Sequence, residues 1–233
     1  MRCERKVDIP DSDGAPLWEL DPANPTAYRL STVRLNSLPR LLIWFRLACA
    51  PALVAIAASR SEQSGAICTI LLSLGVLSDI FDGVIARRIG VVTDGLRTFD
   101  SRVDLVFWLA VTACVLILHP QLLPPTIPMI AVLGLMEGTT HLVSFLRFRR
   151  EASPHHLLSK LFGLALWALL AQMLLVGSGG WLQIPVFILG IASQAEALAI
   201  MLLIPEWRPD VAGVREAMAL RRARERNKHS HFP

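Results

Sequence analysis

The chain has 233 residues, of which 53% are hydrophobic and 18% are charged, and its formal net charge is +4. Soluble domains carry about 25% charged residues, whereas residues 105–136 and 161–195 of this chain contain no Asp, Glu, Lys or Arg. Uncharged stretches of this length exclude an ordinary soluble enzyme, a disordered chain and a secreted disulfide scaffold, and they predict an all-α integral membrane protein.

Six apolar segments follow one another along the chain, each close to the ~20 residues that a helix needs to cross a bilayer. The predicted transmembrane helices cover residues 39–59, 65–86, 99–118, 125–146, 158–177 and 181–204. Three regions result: a cytoplasmic N-terminal segment (1–35), a six-helix membrane domain (36–205) and a basic cytoplasmic tail (206–233). Two interpretations of residues 27–40 remain open, namely an amphipathic helix on the cytoplasmic surface and a tail without structure.

The basic residues predict the orientation of the six spans. An even number of spans places both termini on one side, together with the connections 87–98 and 147–157. Of the 23 Lys and Arg residues, only Arg60 then falls on the other side. The positive-inside rule assigns the basic side to the cytoplasm. We therefore expect a multi-pass membrane protein with both termini in the cytoplasm, whose positive charge faces membrane lipids and whose partners do not include nucleic acid.

Four aspartates interrupt the apolar pattern where the second span ends and the third begins. Asp79 and Asp82 are three residues apart, and Asp100 and Asp104 are four apart, so each pair shares one face of its helix. Ionisable residues inside membrane spans are costly and usually functional. The connection 88–98 is long enough for the two helices to run antiparallel, which predicts that the four carboxylates converge at the cytoplasmic edge of the membrane.

Converging carboxylates repel one another unless cations neutralise them. Hard oxygen ligands without nearby Cys or repeated His suit Mg²⁺ or Mn²⁺ better than Zn²⁺, and two such ions are typical where phosphate oxygens are held during displacement. Gly83 and Ala86 leave room for a ligand beside the carboxylates, and Arg87 is suited to a diphosphate. Salt bridges to neighbouring arginines would explain a single aspartate pair, but they do not account for four aspartates at these spacings.

The segment 79–104 resembles the motif of the CDP-alcohol phosphotransferase (CDP-alcohol phosphatidyltransferase) family, D-x2-D-G-x2-A-R-x8-G-x3-D-x3-D. Seven of its eight fixed positions match at the correct spacing. Leu96 stands where the family has glycine, although Gly95 precedes it, and Ser101 stands where many relatives have proline. The first span from Leu38 to Leu47 is similar to the family's first span, with weaker identity.

The resemblance implies the fold, the reaction and the roles of the motif residues. Such enzymes have six spans and form homodimers. They transfer a substituted phosphoryl group from a CDP-linked donor, usually CDP-diacylglycerol, to an alcohol and release CMP in phospholipid biosynthesis. By similarity, Asp79, Asp82 and Asp100 would be metal ligands, Asp104 would be both a metal ligand and the catalytic base, and Gly83, Ala86 and Arg87 would line the CDP site.

The acceptor alcohol is indicated only by basic residues at the cytoplasmic ends of the fourth and fifth spans. Arg147, Arg150 and Lys160 are candidate acceptor-binding residues. Such a basic cluster favours a phosphorylated alcohol, with glycerol 3-phosphate, inositol or inositol phosphate as candidates, but ordinary positive-inside charge explains it equally well. Arg46 in the first span is expected to pair with a carboxylate or a phosphate, because an unpaired arginine in lipid is costly.

Three other functions remain open from the sequence. A membrane prenyltransferase also uses two Asp-rich motifs with Mg-diphosphate, but such enzymes have more spans and a wider gap than the 18 positions from Asp82 to Asp100. A small cation transporter would have an acidic site, but no second acidic layer follows across the membrane. Leu96 also leaves open an inactive member of the family.

Overall fold

The computed structural model describes residues 25–89, 93–150, 156–208 and 211–229, and it gives the backbone alone for 25–36, 87, 89, 94, 97 and 227–229. Within these ranges the chain is helical and forms no β-strand. The helices are α1 (Pro25–Ser59), α2 (Ser64–Ile89), α3 (Asp94–Leu118), α4 (Leu123–Phe148), α5 (Leu157–Val176), α6 (Gln183–Leu203) and α7 (Val214–His229). Short 3₁₀ turns, Pro120–Leu122 and Gly180–Leu182, precede α4 and α6.

Six of these helices are long and apolar enough to cross a membrane, which confirms the predicted fold class and span count. The apolar spans are Ser37–Ser59, Ser64–Ala86, Thr98–Leu118, Pro120–Phe148, Leu157–Val176 and Gly180–Leu203. They differ from the predicted spans by a few residues at their ends. Large apolar side chains such as Leu135 and Trp181 are exposed on these helices, as expected for surfaces that face lipid.

The N-terminal region is helical before the first span begins. The backbone from Pro25 runs without interruption into the first span as a single helix of 35 residues. The predicted amphipathic stretch 27–40 is therefore helical, but it continues α1. Its side chains before Ser37, and the whole of residues 1–24, lie outside the described part of the chain, so the predicted contact with the membrane surface stays a prediction.

Glycine ends α5 and lets the chain turn. Gly177 adopts a left-handed conformation with φ 69°, and its N–H donates to the carbonyl of Met173 at 2.9 Å. This conformation is accessible to glycine without a steric penalty. The Gly177-Ser178-Gly179-Gly180 sequence can thus reverse the chain between α5 and α6 within a few residues.

The described chain divides into two compact units. The first consists of α1 up to Cys49, α2 from Leu74, and α3 as far as Phe107. Its buried residues include Ile43 and Arg46 of α1, which lie three positions apart and therefore share one face of the helix. An arginine thus occupies a buried position of α1 that would hold an apolar residue in an ordinary core.

The second unit contains the remaining halves of α1–α3 together with α4–α7. Its apolar core at the end of α6 also holds the polar helix α7 in place. The buried members are Ile200, Met201, Ile204, Val211 and Ala217. Two side-chain contacts bind other helices of this unit: Trp167 Nε1 donates to Ser73 Oγ at 3.0 Å, and His119 Nε2 lies 3.2 Å from the carbonyl oxygen of Leu174.

Candidate active site

The close approach of α2 and α3 in the first unit depends on a glycine. A methyl group at Gly75 would overlap the ring of Phe107, which is itself buried. Gly75 precedes Asp79 by one helical turn, and Phe107 follows Asp104 by a little less than one turn. This contact therefore fixes the separation of the two helices next to the aspartates that each of them carries.

Arg46 of α1 lies at the centre of the four aspartates. Its Nη1 donates to Asp79 Oδ1 at 2.6 Å and to Asp104 Oδ1. Its Nη2 donates to Asp82 Oδ2 at 2.5 Å and to Asp100 Oδ1 at 2.8 Å. The predicted convergence of the four carboxylates and the expected pairing of Arg46 are both found in this geometry.

The four aspartate side chains differ in how exposed they are. The side chain of Asp82 is 4% exposed, whereas those of Asp79 and Asp104 are 45% and 29% exposed. A buried carboxylate is stable only when it is paired or coordinates a cation. Asp82 is therefore suited to a fixed ligand or ion-pair role, and Asp79 and Asp104 lie where a substrate can reach them.

Three of the carboxylates form a group that fits a divalent cation. One oxygen each from Asp79, Asp82 and Asp100 lies within 4.8 Å of the other two. The donor set consists of hard carboxylate oxygens, which is the chemistry that Mg²⁺ and Mn²⁺ prefer. Four carboxylates around one guanidinium also leave a surplus of negative charge that divalent cations would balance. Asp104 is not part of this three-carboxylate group and joins the cluster through Arg46.

The departure from the family motif lies in the first turn of α3. Thr93 precedes the helix, and its Oγ1 accepts the backbone N–H of Leu96 at 3.2 Å. This is the pattern of an N-cap residue that bonds to the third helical position. A methyl group at Gly95 would meet nothing within 4 Å. Leu96 itself is helical and does not have a positive φ, so its backbone does not require glycine.

The predicted CDP-binding residues continue the second helix beyond Asp82. Gly83 is partly buried and Ala86 is buried, and both lie within a turn of Asp82 on α2. Arg87 lies in the same helix, but its side chain is outside the described part of the chain. The small side chains at positions 83 and 86 are consistent with space beside the carboxylates, and the role of Arg87 stays a prediction.

The three candidate acceptor-binding residues have different surroundings in the second unit. Arg147 donates from Nη1 to the carbonyl of Met201 at 2.5 Å and from Nη2 to that of Ile204 at 3.3 Å. It thereby satisfies carbonyl groups at the C-terminal end of α6. The guanidinium of Arg150 lies 4.8 Å from the ring centre of Trp207, and Lys160 is exposed.

The other polar residues of the last three spans make contacts with one another. His141 Nε2 lies 3.0 Å from Glu137 Oε1, and Gln194 Nε2 donates to Glu137 Oε2. His156 is 1% exposed and lies 3.7 Å from Glu196 Oε2. These contacts explain the polar residues as links within and between helices.

Two features of the site are missed by the sequence analysis. The first is the contact of Gly75 with Phe107, for which the only signal is a small residue one turn before Asp79. The second is that Arg46 contacts all four aspartates and not a single one. The sequence signal for this feature is an arginine within an otherwise apolar span. Such an arginine indicates a charged partner, but it does not indicate the number of partners.

Comparison with known proteins agrees with the motif. The family model described as CDP-alcohol phosphatidyltransferase matches residues 36–204, which include Arg46 and all four aspartates. No curated protein and no solved structure matches the chain. The family match covers well over half of the sequence and coincides with the six apolar helices. The chain therefore belongs to the CDP-alcohol phosphatidyltransferase family.

Proposed function

We propose that this transferase moves a phosphatidyl group from CDP-diacylglycerol to a small alcohol and releases CMP, as a step of phospholipid biosynthesis. The observation that carries the proposal is the convergence of Asp79, Asp82, Asp100 and Asp104 on one point within the family motif. Membership of the family gives the reaction type. The location of the cluster on apolar helices suits a donor whose acyl chains stay in lipid.

The proposed chemistry is a displacement at the lipid-bearing phosphorus. The alcohol oxygen forms a bond to this phosphorus, its proton passes to a carboxylate oxygen of Asp104, and the bond to the CMP oxygen breaks with its electron pair on CMP. Two observations support Asp104 as the base. It lies outside the three-carboxylate group, and its side chain is 29% exposed, so a small alcohol can reach it.

The same residues are proposed to hold divalent cations. Asp79, Asp82 and Asp100 would provide the main ligands, and Asp104 would be shared between a cation and the acceptor hydroxyl. Two ions, Mg²⁺ or Mn²⁺, would supply positive charge to the diphosphate and to the departing CMP. Gly83, Ala86 and Arg87 would line the space for the CDP group, with the Arg87 guanidinium directed to its phosphates.

The acceptor is proposed to be glycerol 3-phosphate, inositol or inositol phosphate. The support is the basic character of the ends of α4 and α5, where Arg147, Arg150 and Lys160 lie. Lys160 is exposed and suited to a phosphate, whereas the donors of Arg147 are used by carbonyl groups of Met201 and Ile204. We therefore propose that Lys160 contributes more to acceptor binding than Arg147 does.

An acceptor panel tests this proposal. The purified chain is incubated with CDP-diacylglycerol, Mn²⁺ or Mg²⁺, and each candidate alcohol, and lipid products are identified by mass spectrometry. We expect a phosphorylated acceptor to give the product, with Lys160→Gln raising the acceptor KM by about tenfold, as for loss of one charged contact. Arg215→Gln, which removes an exposed charge on α7, is the matched control. If product forms only with an uncharged alcohol such as inositol, and Lys160→Gln leaves the acceptor KM unchanged, then Lys160 does not bind an acceptor phosphate.

We also propose that the protein lies in the bacterial inner membrane with both termini and the active site on the cytoplasmic side. The support is the distribution of its basic residues, which leaves only Arg60 for the opposite side.

The proposed homodimer is supported by the outer surface of α4, which has the smallest buried share of the six spans. Gly134 and Gly138 would each accept a methyl group without any contact within 4 Å. Small residues four apart favour helix association in lipid. The mass in detergent should be that of two chains, and Gly138→Leu should convert it to one. A single-chain mass for the wild type contradicts the dimer.

A further inference from the structure

Arg46 places a positive charge beside the same carboxylates that are proposed to bind cations. Its two terminal nitrogens contact Asp79 Oδ1, Asp82 Oδ2, Asp100 Oδ1 and Asp104 Oδ1. Three of these side chains form the group whose oxygens converge within 4.8 Å. A cation bound by these carboxylates must therefore lie close to the guanidinium or replace it, and the two positive charges repel each other.

The guanidinium is buried, but not all of its N–H donors have a hydrogen-bond acceptor. The side chain of Arg46 is 1% exposed, and its Nε has no hydrogen-bond acceptor among the described residues. A buried donor without an acceptor is unfavourable. The other two nitrogens, Nη1 and Nη2, donate to four carboxylates. One guanidinium carries a single positive charge, so it does not balance four carboxylates, and negative charge remains for a divalent cation.

We infer that Arg46 is a counter-ion of the acidic cluster: it holds the four carboxylates together and competes with divalent cations for them. Arg46 is in this sense a positioning residue. The inference rests on the proposed function, because it concerns the cations of that reaction. It has two consequences: Arg46 lowers the affinity for divalent cations, and it stabilises the protein most when such cations are scarce.

The test measures cation binding and stability without any CDP-linked donor. Arg46→Gln removes the charge at similar length, Arg46→Lys keeps the charge without the planar fork, and Arg40→Gln is the matched control because Arg40 is an exposed residue of the same helix. Mn²⁺ is titrated into each detergent-solubilised full chain, with bound Mn²⁺ followed by electron paramagnetic resonance. Melting temperatures are recorded in EDTA and in saturating Mn²⁺.

We expect Arg46→Gln to bind Mn²⁺ about tenfold more tightly than the wild type, because a positive charge beside the cation no longer repels it. Its melting temperature should fall by about 2–4 °C in EDTA and return close to the wild-type value in saturating Mn²⁺. Arg46→Lys should bind Mn²⁺ with an affinity between those of the wild type and Arg46→Gln. Arg40→Gln should match the wild type in both measurements.

Equal or weaker Mn²⁺ binding by Arg46→Gln would overturn the inference, because Arg46 would then support the cation site and not compete with it. If Arg46→Gln does not fold even in Mn²⁺, the same criterion applies to Arg46→Lys. Neither result bears on whether the wild type makes CMP from a CDP-linked donor. Conversely, if the wild type forms no CMP, the proposed function is wrong. The Mn²⁺ titrations still test the role of Arg46 in that case.

Discussion

Asp104→Asn is expected to lower CMP formation by about 10²–10⁴-fold, the range over which a positioned general base contributes to rate. Asparagine has nearly the same shape and still accepts a hydrogen bond from Arg46 Nη1, which contacts Asp104 Oδ1 in the wild type. It cannot take up the proton of the acceptor hydroxyl. The loss should therefore appear in kcat, measured as CMP released per enzyme at saturating CDP-diacylglycerol and acceptor.

The control for this variant is Glu206→Gln, which neutralises an exposed acid on the second unit. Its kcat should stay within about twofold of the wild type, because surface substitutions away from a site have small effects. Melting curves of Asp104→Asn should show a folded protein. If Asp104→Asn keeps wild-type kcat, Asp104 is not the base, and another exposed carboxylate of the cluster takes that role, with Asp79 as the first candidate.

Removal of divalent cations is expected to abolish CMP formation, and addition of Mg²⁺ or Mn²⁺ should restore it. Without them, one guanidinium faces four carboxylates, and the surplus negative charge repels the diphosphate of the donor. The measurement is CMP release after dialysis against EDTA, followed by titration with each ion. We expect a fall of at least about 10³-fold, since several kcal/mol of charge stabilisation are lost.

EDTA that has been saturated with Mg²⁺ is the control for effects of the chelator itself, and it should leave the activity unchanged. Full activity after verified metal depletion would show that the acidic cluster does not act through divalent cations. The three-carboxylate group of Asp79, Asp82 and Asp100 would then need another explanation, such as its ion pairs with Arg46.

The six spans could be predicted from sequence because length and hydropathy are properties of a linear chain. Asp79 with Asp82 and Asp100 with Asp104 could likewise be placed on common helix faces, since helical periodicity is local. The convergence of the pairs followed from a connection long enough for an antiparallel return. These predictions depend only on residues that are close in sequence and on the length of apolar helix that a membrane requires.

The missed features depend on how helices are rotated and spaced against one another. Nothing local in the sequence shows that Gly75 lies under the ring of Phe107, 32 positions further along the chain. The sequence makes Arg147 a candidate acceptor-binding residue, but its donors reach carbonyl groups at the end of α6. The sequence also predicts that Arg46 pairs with a carboxylate or a phosphate, but the number of aspartates within its reach is set by the packing of three helices.

The departure at Leu96 illustrates how local structure limits an inference from a motif. Glycine at this position of the motif suggests a need for close approach or an unusual backbone conformation. In this chain the position is the third residue of α3, where Thr93 accepts the N–H of Leu96. A leucine fits a helix there, and the structure of this turn gives no reason to expect an inactive protein.

The most direct test of the account is the ratio of CMP to new phospholipid formed from CDP-diacylglycerol by the reconstituted full chain. The account predicts one CMP for each phosphatidyl product in the presence of Mn²⁺ or Mg²⁺, and neither product with Asp82→Ala, which removes the most buried carboxylate of the cluster. Turnover of a prenyl diphosphate, or metal flux into the vesicles, without any CMP would contradict the account, as would equal CMP formation by Asp82→Ala.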